Sequence, residues 1–253
     1  MDLTPYRSFL VELAEKSGDF IRPYFAQSDL KIDLKADLSP VTIADRGGEE
    51  LMRAMIKKRF PDHGVIGEEF GKENADNEFV WVLDPIDGTN SFACACPLFG
   101  TLIALTHRGV PILGAIHQPI LNQLLIGDGE TASLNGRPAR VRPCIQLAEA
   151  VVLSTDLRNV AKYQQADRFQ TVIDQARLFR TWGDCYGYLL VATGWADAMC
   201  DPIMNPWDIA ALVPIIRGAG GVITDWSGGE PVSAQSIIAA GPALHASLVT
   251  TLA

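Results

Sequence analysis

From Thr4 to Phe25, apolar residues recur at helical spacing: Phe9, Leu10, Leu13, Ala14, Phe20, Ile21 and Tyr24. That period predicts an amphipathic helix. A second helix is predicted from about Thr42 to Phe60, with Leu51, Met52, Met55 and Ile56 on one face. Its last turn, "MIKKRF", carries the positive charge that a helix C-terminus favours. The polar stretch between them, "KIDLKADLSPV", contains Pro40 and reads as a loop or hairpin. Short apolar runs follow: "VIG" at 65–67, "FVWVL" at 79–83, "GTLIALTH" at 100–107, "VPILGAIHQP" at 110–119 and "QLLIG" at 123–127. These predict strands, with a hairpin at Arg108-Gly109 and an Asn-Gly turn at 135–136.

After about residue 145 strands and helices alternate. "AVVLST", "ARLFRT", "DAMCD", "GGVITD" and "SIIAAG" read as strands. Helices are predicted over 159–177, over "DCYGYLLVATG" to Gly194, over 207–217 and from Pro242 onward. Pro214 inside the third of these should kink it or shorten its first part. The whole predicts a layered α+β or α/β fold with mixed sheets. One domain over 1–253 is expected. A soft boundary near 140–148 divides it into halves 1–144 and 145–253, with no Ser/Gly linker between them.

Composition narrows the partners. The chain is 48% hydrophobic and 20% charged, with a net charge of −9. That balance repels polyanions, so nucleic acid is not an expected partner. No apolar run approaches the roughly 20 residues of a membrane span. "MDLTPYRSFLVELAEKSGDF" lacks the basic start and apolar core of a signal peptide. The five cysteines include no CxxC pair, which reads as reduced thiols and a cytoplasmic setting. Cys94-Ala-Cys96 has no partner Cys or His at zinc-site spacing.

The chemistry is concentrated in "WVLDPIDGTNSF", 81–92. Its apolar run is β-prone throughout, as in a strand covered on both faces. Asp84 stands at the C-terminal end, where sites of layered α/β proteins gather. Pro85, lacking an N–H, is expected to end the ladder. Gly88 permits a tight turn, and Thr89 is a candidate N-cap. Two carboxylates, a turned carbonyl at Ile86 and helix-start N–H groups suit Mg²⁺ and phosphate. Alternatively, Asp84 and Asp87 only cap a turn. "GVIGEEF" adds Glu68 and Glu69 at another strand end, and "NPWDIAA" places Asp208 in the first turn of a helix. Acids at three element ends are the usual makings of a divalent-metal site. Neither a GxSxG elbow nor a P-loop occurs, and the four histidines have no ligand-like spacing.

"GEE", "WVLDPIDGTNSF" and "NPWDIAALVPIIRGAGGVITD" together resemble the inositol monophosphatase family of metal-dependent phosphatases. The resemblance covers almost the whole chain and implies that family's alternating α-β-α-β-α sandwich. Carried over by position, it makes Glu68, Asp84 and the Ile86 carbonyl ligands of a first Mg²⁺. Asp84, Asp87 and Asp208 would hold a second, and Glu68 with waters a weaker third; Mn²⁺ would suit the same oxygens. Asp45 and Thr89 would orient and deprotonate a metal-activated water. The N–H groups of Gly88 and Thr89 would hold phosphate. Lys35 lies on a loop that in relatives closes near the metals, and Glu69 would sit behind the ligands. A homodimer is implied as well.

The alcohol half of the substrate falls, in relatives, at positions matching Gly183, Asp184, Cys185 and Asp201. Inositol monophosphatases show a small or hydroxyl residue at 184 and Glu at 201. The acid at 184 beside "CYGY", with "PLFGTLIAL" and "DPIMNPWD", is more similar to the histidinol-phosphatase branch. L-histidinol phosphate carries an ammonium and an imidazole, which Asp184 and Asp201 can pair with. Asp184 could instead be a helix cap. Ala95 departs from relatives, which usually have Gly there, and Asn90 from the histidinol-phosphate group, which often has Lys. Of Trp182, Tyr186 and Tyr188, two should be core; Trp195, Trp207 and Trp226 read as core or interface. Remaining alternatives are an inositol or broad sugar phosphatase, a nucleotide 3′-phosphatase, and a metal-binding homologue acting through protein association.

Overall fold

The computed structural model describes residues 1–34 and 40–252, so Lys35 lies outside the described residues. In chain order the elements are α1 (Thr4–Ile21), β1 (Ile32–Leu34), β2 (Pro40–Thr42), α2 (Ile43–Arg59), β3 (Gly64–Gly67), β4 (Gly71–Glu73), β5 (Phe79–Asp87) and α3 (Thr89–Ala93). The long antiparallel strands β6 (Gly100–His107), β7 (Val110–Gln118) and β8 (Gln123–Gly127) follow, then β9 (Ala132–Leu134) and β10 (Arg137–Pro138). The remainder comprises β11 (Val151–Leu153), α4 (Leu157–Tyr163), α5 (Ala166–Gln175), β12 (Leu178–Arg180), α6 (Cys185–Ala192) and β13 (Ala198–Asp201). It ends with α7 (Pro206–Ile209), α8 (Leu212–Gly218), β14 (Val222–Thr224), β15 (Ile237–Ala240) and α9 (Pro242–Leu252).

Period-two alternation sorts these elements into five layers. The first sheet runs β10-β9-β8-β7-β6-β5-β3-β4, and the second runs β12-β11-β13-β15-β14. Trp81, Leu83, Ile103, Leu105 and Leu113 face α1 and α2, packing on Phe9, Leu13, Met52 and Ile56. Their neighbours Val82, Leu102, Ala104 and Ile116 face the other way, onto Leu189 of α6 and Leu212 of α8. The second sheet closes that middle layer with Val151, Leu153, Met199 and Ile237. Its opposite face turns Val152, Ala198, Cys200 and Ile238 onto Phe169 of α5 and Leu244 of α9. The alternating α-β-α-β-α sandwich with mixed sheets is thus the observed fold.

Two predicted helices are broken. The 159–177 segment forms α4 and α5, interrupted at Gln164 and Gln165. The 207–217 segment forms α7 and α8, with Ala210 and Ala211 between them. Pro214 accounts for the second break: it has no N–H to give the Ala210 carbonyl, so the first piece stops there. Hairpin β9–β10 turns at Asn135-Gly136 as expected. Helix α8 lies unusually close to the first sheet. A Cβ on Gly114 would stand 2.2 Å from the Ala211 oxygen, and one on Gly127 2.4 Å from the Ile215 Cα. Only glycine permits that approach.

His117 on β7 is buried under α1, and burial pushes its pKa down to about 4. Its Nδ1 has no hydrogen-bond partner among the described residues. Folding therefore favours the neutral ring, so this contribution is complete above the unfolded pKa near 6.5. It is lost as pH falls from there toward 4. Denaturant melts should show about 2 kcal/mol less stability at pH 5 than at pH 7 from this group. His117→Asn should flatten that slope, and an unchanged slope would refute the assignment.

Candidate active site

Strand β5 is central and buried along nearly its whole length, pairing parallel with β3 and antiparallel with β6. Its ladder with β6 slips between Asp84 and Asp87, then resumes with Asp87 opposite Gly100. Pro85 therefore interrupts the ladder rather than ending it, and the bulge turns two carboxylates toward one side. Gly88 follows with φ +93, a left-handed turn that glycine makes without strain. Thr89 is not the N-cap. Gly88 occupies that position, and Thr89 opens α3 with its hydroxyl engaged elsewhere.

Asp84, Asp87 and Asp208 each offer an oxygen, and the three lie within 4.8 Å of one another. Asp84 is buried, and its Oδ1 accepts from the Ile86 N–H at 3.0 Å. Burial, then Glu68, Asp87 and Asp208, push its carboxyl well above the usual range. Asp87 moves the same way through burial, then Asp184 and Asp208. Asp208, held by the Asn205 N–H at 2.7 Å, is pushed up to about 7, chiefly by burial. A knot of acids that destabilise one another's charged forms is what a divalent cation would relieve. The donor set is all oxygen and fits Mg²⁺.

Glu68 directly follows β3, and its N–H donates to the Leu83 carbonyl at 3.2 Å. The turn it opens is anchored by a residue that sequence reasoning passed over. Glu49 of α2 is fully buried and accepts from the N–H groups of Glu69 (2.8 Å) and Phe70 (3.2 Å) and from Arg53 Nε (2.7 Å). Glu69 thus meets the site's supporting layer through its backbone.

Asp45 and Thr89, 44 positions apart, are joined: the Thr89 hydroxyl lies 3.1 Å from Asp45 Oδ1 and 3.0 Å from the Ile86 carbonyl. Thr42 fixes the carboxylate from behind, donating its N–H and hydroxyl to Asp45 Oδ2 at 2.7 and 2.6 Å. This is a capping box at the start of α2. The pattern Thr-x-x-Asp was readable in the sequence. Burial raises the Asp45 pKa, with the Thr42 and Thr89 hydrogen bonds opposing.

Beyond the carboxylates lies a cavity of about 220 Å³ lined by Asp87, Asp156, Asp184, Asp201 and Asp208, with Asn90, Asn159 and Met204 also on its wall. Asp184 precedes α6 at φ +34, and its side chain makes no capping hydrogen bond. It is therefore not spent as a helix cap. It packs instead against Gly88: a Cβ there would meet Asp184 Oδ2 at 2.8 Å. Its carboxyl is pushed up to about 7 by burial, then Asp201 and Asp208. Cys185 is buried, with its N–H donating to Asp87 Oδ2 at 2.6 Å, so α6 steadies a cluster carboxylate. Gly183 is buried beside Thr155. Asp201 ends β13, its oxygens accepting from the Thr155 N–H (2.8 Å) and the Tyr188 hydroxyl (3.0 Å).

The aromatic expectation needs correction. Of Trp182, Tyr186 and Tyr188, only Tyr188 is core; Tyr186 is half-buried and Trp182 exposed. The reason is that α6 buries its Cys185, Tyr188 and Leu189 side, while Trp182 precedes the helix. Trp226 is core, Trp207 half-buried and Trp195 exposed. Asp156 was missed because the helix there was expected to start two residues later; as the N-cap of α4, it accepts from the Arg158 N–H at 2.8 Å.

Comparison with known proteins agrees with this geometry. The profile of the inositol monophosphatase family matches residues 2–253. A histidinol-phosphatase of Chlorobaculum parvum is 38% identical over 252 residues, 99% of this chain and 97% of that protein. A histidinol-phosphatase of Mycobacterium tuberculosis is 36% identical, covering 95% of each. Among solved structures, an inositol monophosphatase from Zymomonas mobilis superposes with a TM-score of 0.89 at 37% identity, over 99% of this chain and 98% of that one. Profile, sequence and fold converge along the full length described, and the acids of the site stand at its centre: the chain belongs to the inositol monophosphatase family and is a phosphomonoester hydrolase.

Proposed function

We propose that the chain hydrolyses L-histidinol phosphate to L-histidinol and phosphate, with Mg²⁺ as cofactor. One observation carries the choice of alcohol. The cavity beside the acid cluster presents Asp156, Asp184 and Asp201 and, among the described residues, no lysine or arginine on its wall. Such a wall attracts an ammonium by charge, offers a neutral polyol only acceptors for its hydroxyls, and repels a second phosphate. Histidinol-phosphatase and inositol monophosphatase relatives are almost equally similar by identity, 38% and 37%, so the wall rather than overall likeness supports the reading.

Glu68, Asp84, Asp87, Asp208 and the Ile86 carbonyl would hold the cation. Bound there, Mg²⁺ supplies charge neutralisation for the ester and acidifies a coordinated water. The remaining roles belong to the chain. Thr89 has one hydroxyl proton and two acceptors in reach; the charged Asp45 oxygen makes the stronger bond. With that proton directed to Asp45 Oδ1, the Thr89 oxygen is left to accept one from the attacking water. The raised pKa of Asp45 makes it the better base. The N–H groups of Gly88 and Thr89 would take the phosphate oxygens. Asp184 and Asp201 would receive the ammonium, with Tyr188 keeping Asp201 in place.

Phosphate release from L-histidinol phosphate and myo-inositol 1-phosphate, assayed in parallel with Mg²⁺, tests the reading. A kcat/KM ratio of about a hundred favouring the first is expected, roughly 2.7 kcal/mol of discrimination. Asp184→Asn should narrow that ratio at least tenfold. A preference for the inositol ester would sink the substrate assignment and leave the acid cluster's role intact.

A further inference from the structure

We infer that Asn159 is the residue that reads the heterocycle of the substrate, distinguishing an imidazole-bearing amino alcohol phosphate from other amino alcohol phosphates. The inference rests on the proposed function and adds to it. Carboxylates such as Asp156, Asp184 and Asp201 bind positive charge on any amine. They can also accept from a ring N–H, but ionised they have nothing to offer a bare ring nitrogen. A neutral imidazole offers one N–H donor and one bare acceptor nitrogen. Reading its acceptor nitrogen needs a donor, and carboxylates have none when ionised.

Asn159 supplies that donor. It is the third residue of α4, one turn past the Asp156 cap. Its side chain is half-buried and lines the same cavity as Asp184 and Asp201. Asparagine inside a helix normally bonds nearby backbone or faces open water. Here its carboxamide has no hydrogen-bond partner among the described residues, and its place is the cavity wall. A carboxamide both donates and accepts, so it can meet either tautomer of the ring. The other carboxamide on the wall, Asn90 of α3, is exposed beside the acid cluster. It stands next to Thr89, on the phosphate side. Asn159 belongs to the second sheet's side of the cavity, with Thr155 and Asp201, where the alcohol portion would lie. A donor lost from a ring nitrogen costs about tenfold in discrimination.

L-Phenylalaninol phosphate makes the matched probe, because it keeps the ammonium and the ring's bulk and removes both ring nitrogens. The wild type should favour L-histidinol phosphate over it about tenfold or more in kcat/KM. Asn159→Ala and the near-isosteric Asn159→Leu should both bring that ratio to within about twofold of one. Thermal melts of both variants, read beside the ratio, show that the fold is kept, and two variants guard against one failing to fold. If the wild type shows the preference and both variants keep it, Asn159 is not the reader. If the wild type takes both amino alcohol esters equally, the ring is not read and the inference falls, while ammonium recognition stands. If the wild type prefers glycerol 2-phosphate to either, the proposed function itself fails.

Discussion

Asp84→Asn should lower kcat/KM for phosphate release by about a thousandfold or more, roughly 4 kcal/mol of transition-state stabilisation. Asp84 is the buried member of the acid cluster and the one whose neighbours include Glu68, Asp87 and Asp208 together. The amide keeps the shape and the bond from the Ile86 N–H. It removes the charge that would face the cation. In the cation-free protein the substitution relieves repulsion, so the variant should melt no lower than the wild type. Mg²⁺ should then raise the melting temperature of the wild type and not that of the variant, since only a ligand bound to the native state stabilises it. A variant that folds, gains stability from Mg²⁺ and turns over normally would remove Asp84 from the centre of the mechanism. A folded, inactive variant would also set aside the alternative of a homologue acting only through protein association.

Glu49→Ala should be the most damaging substitution for stability, at about 3–5 kcal/mol, or roughly 10 °C in melting temperature. The side chain is fully buried and carries three hydrogen bonds at once. Its removal would take the acceptor from the part-buried N–H groups of Glu69 and Phe70 and one partner from the Arg53 guanidinium, which keeps the Gly71 carbonyl and Glu73. Because those N–H groups belong to the turn after Glu68, the loss should reach the cation. More Mg²⁺ should be needed for half-maximal activity in Glu49→Ala than in the wild type, and Glu49→Gln should fall between them. A variant melting within about 2 °C of the wild type would show that the turn holds itself.

The contrast between these two acids shows what sequence alone can reveal. Asp84 was legible because its whole context is contiguous: an apolar strand, a proline, a second Asp and a Gly-Thr turn within "WVLDPIDGTNSF". Glu49 was not. With Arg53 four residues on, it reads as an ordinary surface pair on a helix. Only the packing of α2 against the end of β3 turns it inward. Asp45 and Thr89 were matched by resemblance, but the hydrogen bond joining them is a tertiary fact between residues 44 apart. Mixed sheets layered with helices followed from the apolar runs, which survive in any one strand, whereas the five-layer sandwich came from resemblance. The break between α4 and α5 did not, because Gln164 and Gln165 carry no breaker signal. Asp184 was placed correctly at the start of α6. That it would decline to cap the helix depended on Gly88 arriving beside it from the other half of the chain.

The close seat of α8 on Gly114 and Gly127 has a bearing on time as well as place. Side chains exchange rotamers in picoseconds to nanoseconds, and contacts made through them loosen on that scale. Backbone resting on backbone has no rotamer to exchange. Asp208 hangs from the near end of this seat, through α7 and the Ala210-Ala211 joint. Of the acids around the cavity it should therefore be the one that moves least. Whatever gives way when an ester enters and phosphate departs must move relative to it.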